Sequence, residues 1–303
     1  MPPVIAIFIP VYIPQTKSAV KAFASSSEAD IIIEIKTNVL GADMSTFINP
    51  KNDYGFKIIF GNESRAELLV SFLNSLLYAG EPVIKSVKIL NPYLPGDVQS
   101  LKDTFVDIQA VLNDGTIVII EMQMTLKPDF FKRVLYNMAK KYGNQLDVGH
   151  FYRKLNPVLA LVVADFVFTS SHSQPLTKFR LTDLDLLEHY PDSEDFQIAV
   201  VELPKFRKSA DQLETLADMW LYFLRHAEAL QEIPSNMSKI DEMNTAFEAA
   251  RRVNLKALEL EEIEKREKYA MSEVENLAWA RDKARAAGLE EGRAEGREEG
   301  REE

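Results

Sequence analysis

The 303 residues include no cysteine, which excludes a disulfide framework, a cysteine-ligated zinc and a thiol nucleophile. A reducing compartment poses no threat to such a chain, and a cytoplasmic location is expected. Long apolar runs are also missing: proline or charge interrupts every candidate before the roughly 18–20 residues that a membrane helix needs. No membrane partner is expected. Residues 4–13 are apolar, but no basic residue precedes them and no small-residue cleavage site follows closely, which makes a poor secretory signal. Positive charge is in the minority, 35 Lys and Arg against 46 Asp and Glu, and the net charge of −11, taken as an average, argues against a nucleic-acid partner.

Averages hide patches. Between residues 126 and 154 stand Lys127, Lys132, Arg133, Lys140, Lys141, Arg153 and Lys154 against only Asp129 and Asp147, a local balance of +5. Such a surface is compatible with polyphosphate binding, and also with a merely solvated helix face. Part of the acidity lies in the last twenty residues, where Gly288, Gly292, Gly296 and Gly300 recur every fourth position. Each glycine costs a helix about 1 kcal/mol relative to alanine, so this repeat is at best a marginal helix.

With 46% apolar and 27% charged residues the composition is that of a globular protein, long enough for one core and an appendage. Met44 begins a stretch that reads like a natural start, and residues 1–43 read as an N-terminal extension, with two readings open: an upstream addition outside the native fold, or a native segment. In residues 64–78 the apolar side chains recur with a helical period, whereas 83–90 alternate as a half-buried strand does. Two β-rich runs, 104–112 and 116–124, are joined by Asn113-Asp114-Gly115, a hairpin signal. A helix is expected from Pro128 to about Leu146, with Arg133, Tyr136, Asn137 and Lys140 on a face beside its apolar stripe. The runs 157–168 and 196–203 are near-continuously apolar and β-branched, as strands covered on both faces are. The fold class is therefore α/β, a mixed sheet flanked by helices over residues 44–206, followed by a helical extension at 207–283 and the repeat tail at 284–303.

The hairpin is where chemistry is expected. Along a strand, residues i and i+2 share a face, so Asp107 and Gln109 point one way, as do Glu121 and Gln123 on the partner strand. Whether the two sets meet depends on register. A two-residue Asp114-Gly115 turn puts Asp107 opposite Met122, with Glu121 facing away. A three-residue Asn113-Asp114-Gly115 loop, with Gly115 left-handed, puts Asp107 opposite Glu121 at a Cβ separation of about 4.5–5.5 Å. Two carboxylates so close repel unless a proton or cation lies between them, and Mg²⁺ suits the second case. Gln123 would then orient the attacking water or hold a phosphate oxygen. Alternatively, both acids are solvent-facing residues of an ordinary sheet.

Over residues 47–206 the sequence resembles the recombination-promoting nuclease and putative transposase group of the PD-(D/E)XK superfamily. The matching blocks are NPKNDYGFKIIFG, SFLNSLL, the aspartate of FVDIQ, NDGTIVIIEMQ, FFKRVLYNMAKKYGNQLDVGHFY and VVELPKF. The resemblance implies a restriction-endonuclease-like core and a metal-dependent DNA endonuclease linked to recombination or mobile elements. Asp107 and Glu121 match its metal ligands, with the Met122 carbonyl as a further one and Mg²⁺, or Mn²⁺ or Ca²⁺, as the ion. Gln123 stands where the wider superfamily usually carries lysine. Arg133 and Tyr136 match positions near substrate phosphate, with Lys140 beside them on the same helix. Asp53 and Lys57 match a block expected near the site; a helix cap and a surface lysine are their plainer explanations. The other reading is an inactive nuclease-like module that binds DNA or protein and oligomerises; in either reading a homo-oligomer through the C-terminal helices is expected.

Overall fold

The computed structural model describes residues 45–91, 93–94, 104–147, 149–183, 185 and 193–302. The expected N-terminal extension, 1–43, lies outside the described residues. Two compact units are distinguished, divided after Lys256.

The first unit begins with α1 (Asp53–Phe60), which Asn52 caps by accepting hydrogen bonds from the Tyr54 and Gly55 amides. Gly55 is needed here because a Cβ would come within 2.6 Å of the Asn49 carbonyl oxygen. Phe56, Ile59 and Phe60 form the buried face of α1, and α2 (Ala66–Leu77) adds Leu69, Phe72 and Leu73 at helical spacing.

Strands β1 (Val87–Leu90), β4 (Ile108–Leu112), β5 (Ile117–Gln123), β6 (Val158–Ala164), β7 (Leu176–Arg180) and β8 (Phe196–Glu202) make one sheet in the order β1-β4-β5-β6-β8-β7. Short β2 (Tyr93–Leu94) and β3 (Thr104–Phe105) pair with each other. The central strands β5, β6 and β8 run parallel, and the outer ones are antiparallel to their neighbours. All seven residues of β6 are buried, as a strand covered on both faces requires. One face is covered by α3 (Phe130–Gly143), whose Phe130, Val134 and Met138 pack with Ile117, Ile119, Val158, Val162 and Val200.

Helices α4 (Leu216–His226) and α5 (Asp241–Ala250) belong to this same unit. The Trp220 ring meets Phe60 and Phe72, and Phe247 meets Phe47 and Phe223, all of them fully buried. Truncating one such ring to alanine costs about 3–5 kcal/mol, so α4 and α5 complete the core. Residues 45–48 are tied to the end of α5, the Ile48 amide donating to the Ala250 carbonyl and the Arg252 amide to that of Thr46. The compact unit thus runs past Phe206, where the sequence pattern ends its nuclease-like domain. The second unit is one long helix, α6 (Ala257–Glu302), which continues through the glycine repeat. Among the described residues, no helix is long and apolar enough to cross a membrane.

Candidate active site at the open end of the hairpin

The loop between β4 and β5 has three residues. Leu112 donates its amide to the Thr116 carbonyl, Gly115 donates to the Leu112 carbonyl, and Gly115 sits at φ +92°, where a side chain would be strained. A Cβ there would also stand 2.7 Å from Asn156 Oδ1. The register that follows pairs Val111 with Ile117 and ends with Ile108 opposite Ile120. One step further along the two chains, Asp107 comes level with Glu121.

Asp107 itself is not in the ladder. The chain bends there, and Val106 joins the cluster under α3. The bend frees the Asp107 carboxylate to replace a strand partner: its Oδ2 accepts the Met122 amide at 2.7 Å. Its Oδ1 lies 3.5 Å from Lys57 Nζ, on α1. Glu121 faces α3, and its Oε1 accepts from Asn137 Nδ2 at 3.2 Å.

Both acids hold protons more tightly than usual. Burial pushes the Glu121 carboxyl up to about 8, with the Asp107 charge adding to it and Arg133, Asn137 and Lys57 opposing. Burial also raises Asp107; Lys57 and the Met122 amide oppose that rise, and Asp53 adds to it. Glu121 therefore feels the Asp107 charge, and positive charge reaches the pair from both α1 and α3. A proton or cation settles Glu121 at neutral pH.

The amide of Gln123 is committed at both ends: Oε1 accepts from Arg133 Nη2 at 2.8 Å, and Nε2 donates to the Thr125 carbonyl at 3.0 Å. Arg133, exposed in the first turn of α3, is held over the Phe130 ring at 5.4 Å. Asp53 is the first residue of α1, and the capping role belongs to its neighbour Asn52. Lys140 is only 6% exposed and its ammonium faces the Tyr136 ring at 5.8 Å, so it presents little surface to a phosphate. The basic stretch is likewise dispersed. Lys132 pairs with Asp129, and Arg153 and Lys154 lie beyond the far end of α3.

Asn137 lies inside the matching block 130–152 with no role assigned to it there, although its place one turn after Arg133 marks the right face. It is 1% exposed, and among the described residues its Oδ1 is a buried acceptor with no partner, as is Oε1 of Gln109 on β4. Lys51 stands in the NPKNDYGFKIIFG block with no role assigned to it, and Asp165 stands in no block at all. They form a 2.8 Å ion pair next to the site, and the Asp165 amide donates to the Gln123 carbonyl. Nothing in the local sequence pattern marks Asp165, because the parallel pairing of β5 with β6 brings it there.

A family model, that of the PD-(D/E)XK nuclease family transposases, matches residues 50–280, a span that runs from just before α1 into the middle of α6. No curated protein and no solved structure matches the chain.

Proposed function

Because the chain belongs to the PD-(D/E)XK nuclease family of transposases, we propose that it is a metal-dependent DNA endonuclease whose reaction centre is the Asp107–Glu121 pair. The observation that carries this reading is the pair itself: a buried Glu121 and a largely covered Asp107 on adjoining strand ends, each with raised proton affinity. Such an arrangement is relieved by a cation and is hard to explain as sheet surface.

The donor set fits a hard divalent ion. Two carboxylates supply oxygen ligands, and the Met122 carbonyl, on the same side of β5 as its amide, is a third oxygen donor at that strand end. The unpartnered Asn137 Oδ1 beside Glu121 is a place for an ordered water. Among the described residues no group of three or more Asp, Glu, His or Cys could hold a metal. A pair of carboxylates suits Mg²⁺ or Mn²⁺, whose remaining positions go to water and substrate. When bound, such an ion supplies an activated water and stabilises charge that builds on the phosphoryl oxygens.

The remaining roles fall to the chain. Arg133, fixed by Gln123, offers a planar guanidinium to a phosphate oxygen from the α3 side. Lys57 offers an ammonium from the α1 side and balances Asp107. Gln123 then acts as the residue that positions Arg133, a better use of a doubly bonded amide than orienting water. Asn137 holds the Glu121 carboxylate in place, and Tyr136 lies one turn along the same helix. A transposase-type family description fits a role in DNA rearrangement.

The test is nicking of supercoiled plasmid with Mg²⁺, Mn²⁺ or Ca²⁺. Wild type should nick with Mg²⁺ or Mn²⁺, and Asp107→Ala and Glu121→Ala should each lose activity by roughly a hundredfold or more. Equal nicking by all three proteins would sink the reading.

A further inference from the structure

The ends of the parallel strands are level: Gln123 pairs with Ala164, and Ala164 with Glu202. The carboxylate pair and the end of β8 therefore share one edge of the sheet, two strand spacings or about 10 Å apart. Ligands of open α/β sheets settle along such an edge, outside the carboxyl ends of the strands. Past β8, residues 206–210 and the C-terminal half of α4 line an open concavity of about 590 Å³. Among the described residues its lining includes Arg207, Lys208, Arg225, Tyr222 and His226 and no carboxylate.

The charges there are unequally matched. Lys208 is held by Asp218 at 2.8 Å, with Glu214 at 3.7 Å. Arg225 Nη1 donates to the Leu203 and Phe206 carbonyls, which fix the guanidinium without cancelling its charge. Arg207 is exposed. The field is felt locally, since Arg225 and Lys51 add to burial in holding the His226 imidazole below its usual range. Tyr222 lies against that imidazole, ring centroids 4.6 Å apart. In a chain of net charge −11, a concavity lined by cations and an aromatic pair stands out.

We propose that this concavity is a second phosphodiester subsite, which holds the DNA strand flanking the bond set over Asp107 and Glu121. It rests on the nuclease reading for the identity of the polymer. Guanidinium groups suit phosphate oxygens, and the Tyr222–His226 pair offers a face to a sugar or base. Lys51 links the two places, paired with Asp165 and close enough to His226 to repel its proton.

The experiment is fluorescence anisotropy of a labelled 20-nucleotide DNA on the full chain in EDTA, which reads binding without cleavage. Arg207→Glu should weaken binding by roughly tenfold or more, and Arg207→Ala should lower the slope of log affinity against log salt by about 1. Arg207→Lys should restore most of the affinity. Lys85→Glu makes the same charge change at the hairpin-turn end, where the Lys85 amide donates to Asn113, and should change affinity by less than about twofold. Unaltered binding by Arg207→Glu, or an equal loss in Lys85→Glu, would overturn the subsite. Plasmid nicking, measured in parallel, reports separately on Asp107 and Glu121: absent cleavage with the Arg207 effect intact would refute the nuclease reading and keep the subsite.

Discussion

At Glu121 the folded protein holds a proton that the unfolded chain releases. The carboxyl is pushed up to about 8 from an ordinary 4.5, first by burial and then by Asp107. Between those two values the native state binds the extra proton, so stability falls as pH rises through the window and levels off above it. Each unit of displacement corresponds to about 1.4 kcal/mol, which makes the effect a few kcal/mol. Thermal melts in EDTA from pH 5 to 9 should therefore show a declining Tm in the wild type. Glu121→Gln should flatten most of the decline and melt higher at pH 8, while being inactive; an unchanged slope would contradict the assignment. A divalent cation substitutes for that proton, so Mg²⁺ should raise the wild-type Tm more at pH 8 than at pH 5.5. Gln123→Ala should leave the fold intact and release Arg133, lowering kcat about tenfold with little change in KM for plasmid.

Among the elements the hairpin is decisive, because its loop length sets which residue meets Glu121. Deleting Asn113 would leave Asp114-Gly115 as a two-residue turn and slip β4 by one residue against β5. Asp107 then loses its place beside Glu121, so nicking and the Mg²⁺-dependent rise in Tm should both disappear even in folded protein. Retained nicking by the deletion variant would show that the register does not matter. The existence of this hairpin is legible in Asn113-Asp114-Gly115 and the apolar runs beside it. Its register is favoured but not fixed by the sequence: Asn and Asp early with Gly last suit the three-residue loop, while a two-residue Asp-Gly turn fits the same residues. The three-residue loop holds in the fold because Gly115, at φ +92° and with Asn156 Oδ1 2.7 Å from where a Cβ would stand, fits where another residue would be strained. The bend at Asp107 is not legible, because it comes from Val106 turning under α3 and from the Met122 amide finding a carboxylate in place of a strand.

Across the protein as a whole, the core depends on chain that the alternation and periodicity of residues 44–206 do not include. Ending the protein at Phe206 would remove Trp220, Phe223 and Phe247 from contact with Phe47, Phe60 and Phe72, and should abolish cooperative unfolding. Ending it at Lys256 keeps the first compact unit complete and should preserve a sharp thermal transition, measured by circular dichroism. Comparable melting of the two truncations would contradict this account of the core.

The elements and the chemistry available to them follow from the amino-acid order alone. Period-3.6 and period-2 patterns are local properties, and so is the chemical capacity of Asp107, Glu121, Gln123 and Arg133. The family blocks add their arrangement along the chain. Which of these groups meet is a matter of packing. Parallel pairing of β5, β6 and β8 sets Asp165 beside Gln123 and levels the strand ends, while α1 and α3 deliver Lys57 and Arg133 to the two carboxylates. Packing also buries Lys140, which periodicity leaves on a polar face, and withdraws Glu121 fully and Asp107 largely from water, enough to raise their proton affinity. Proximity and burial are non-local, because they depend on how distant segments come together.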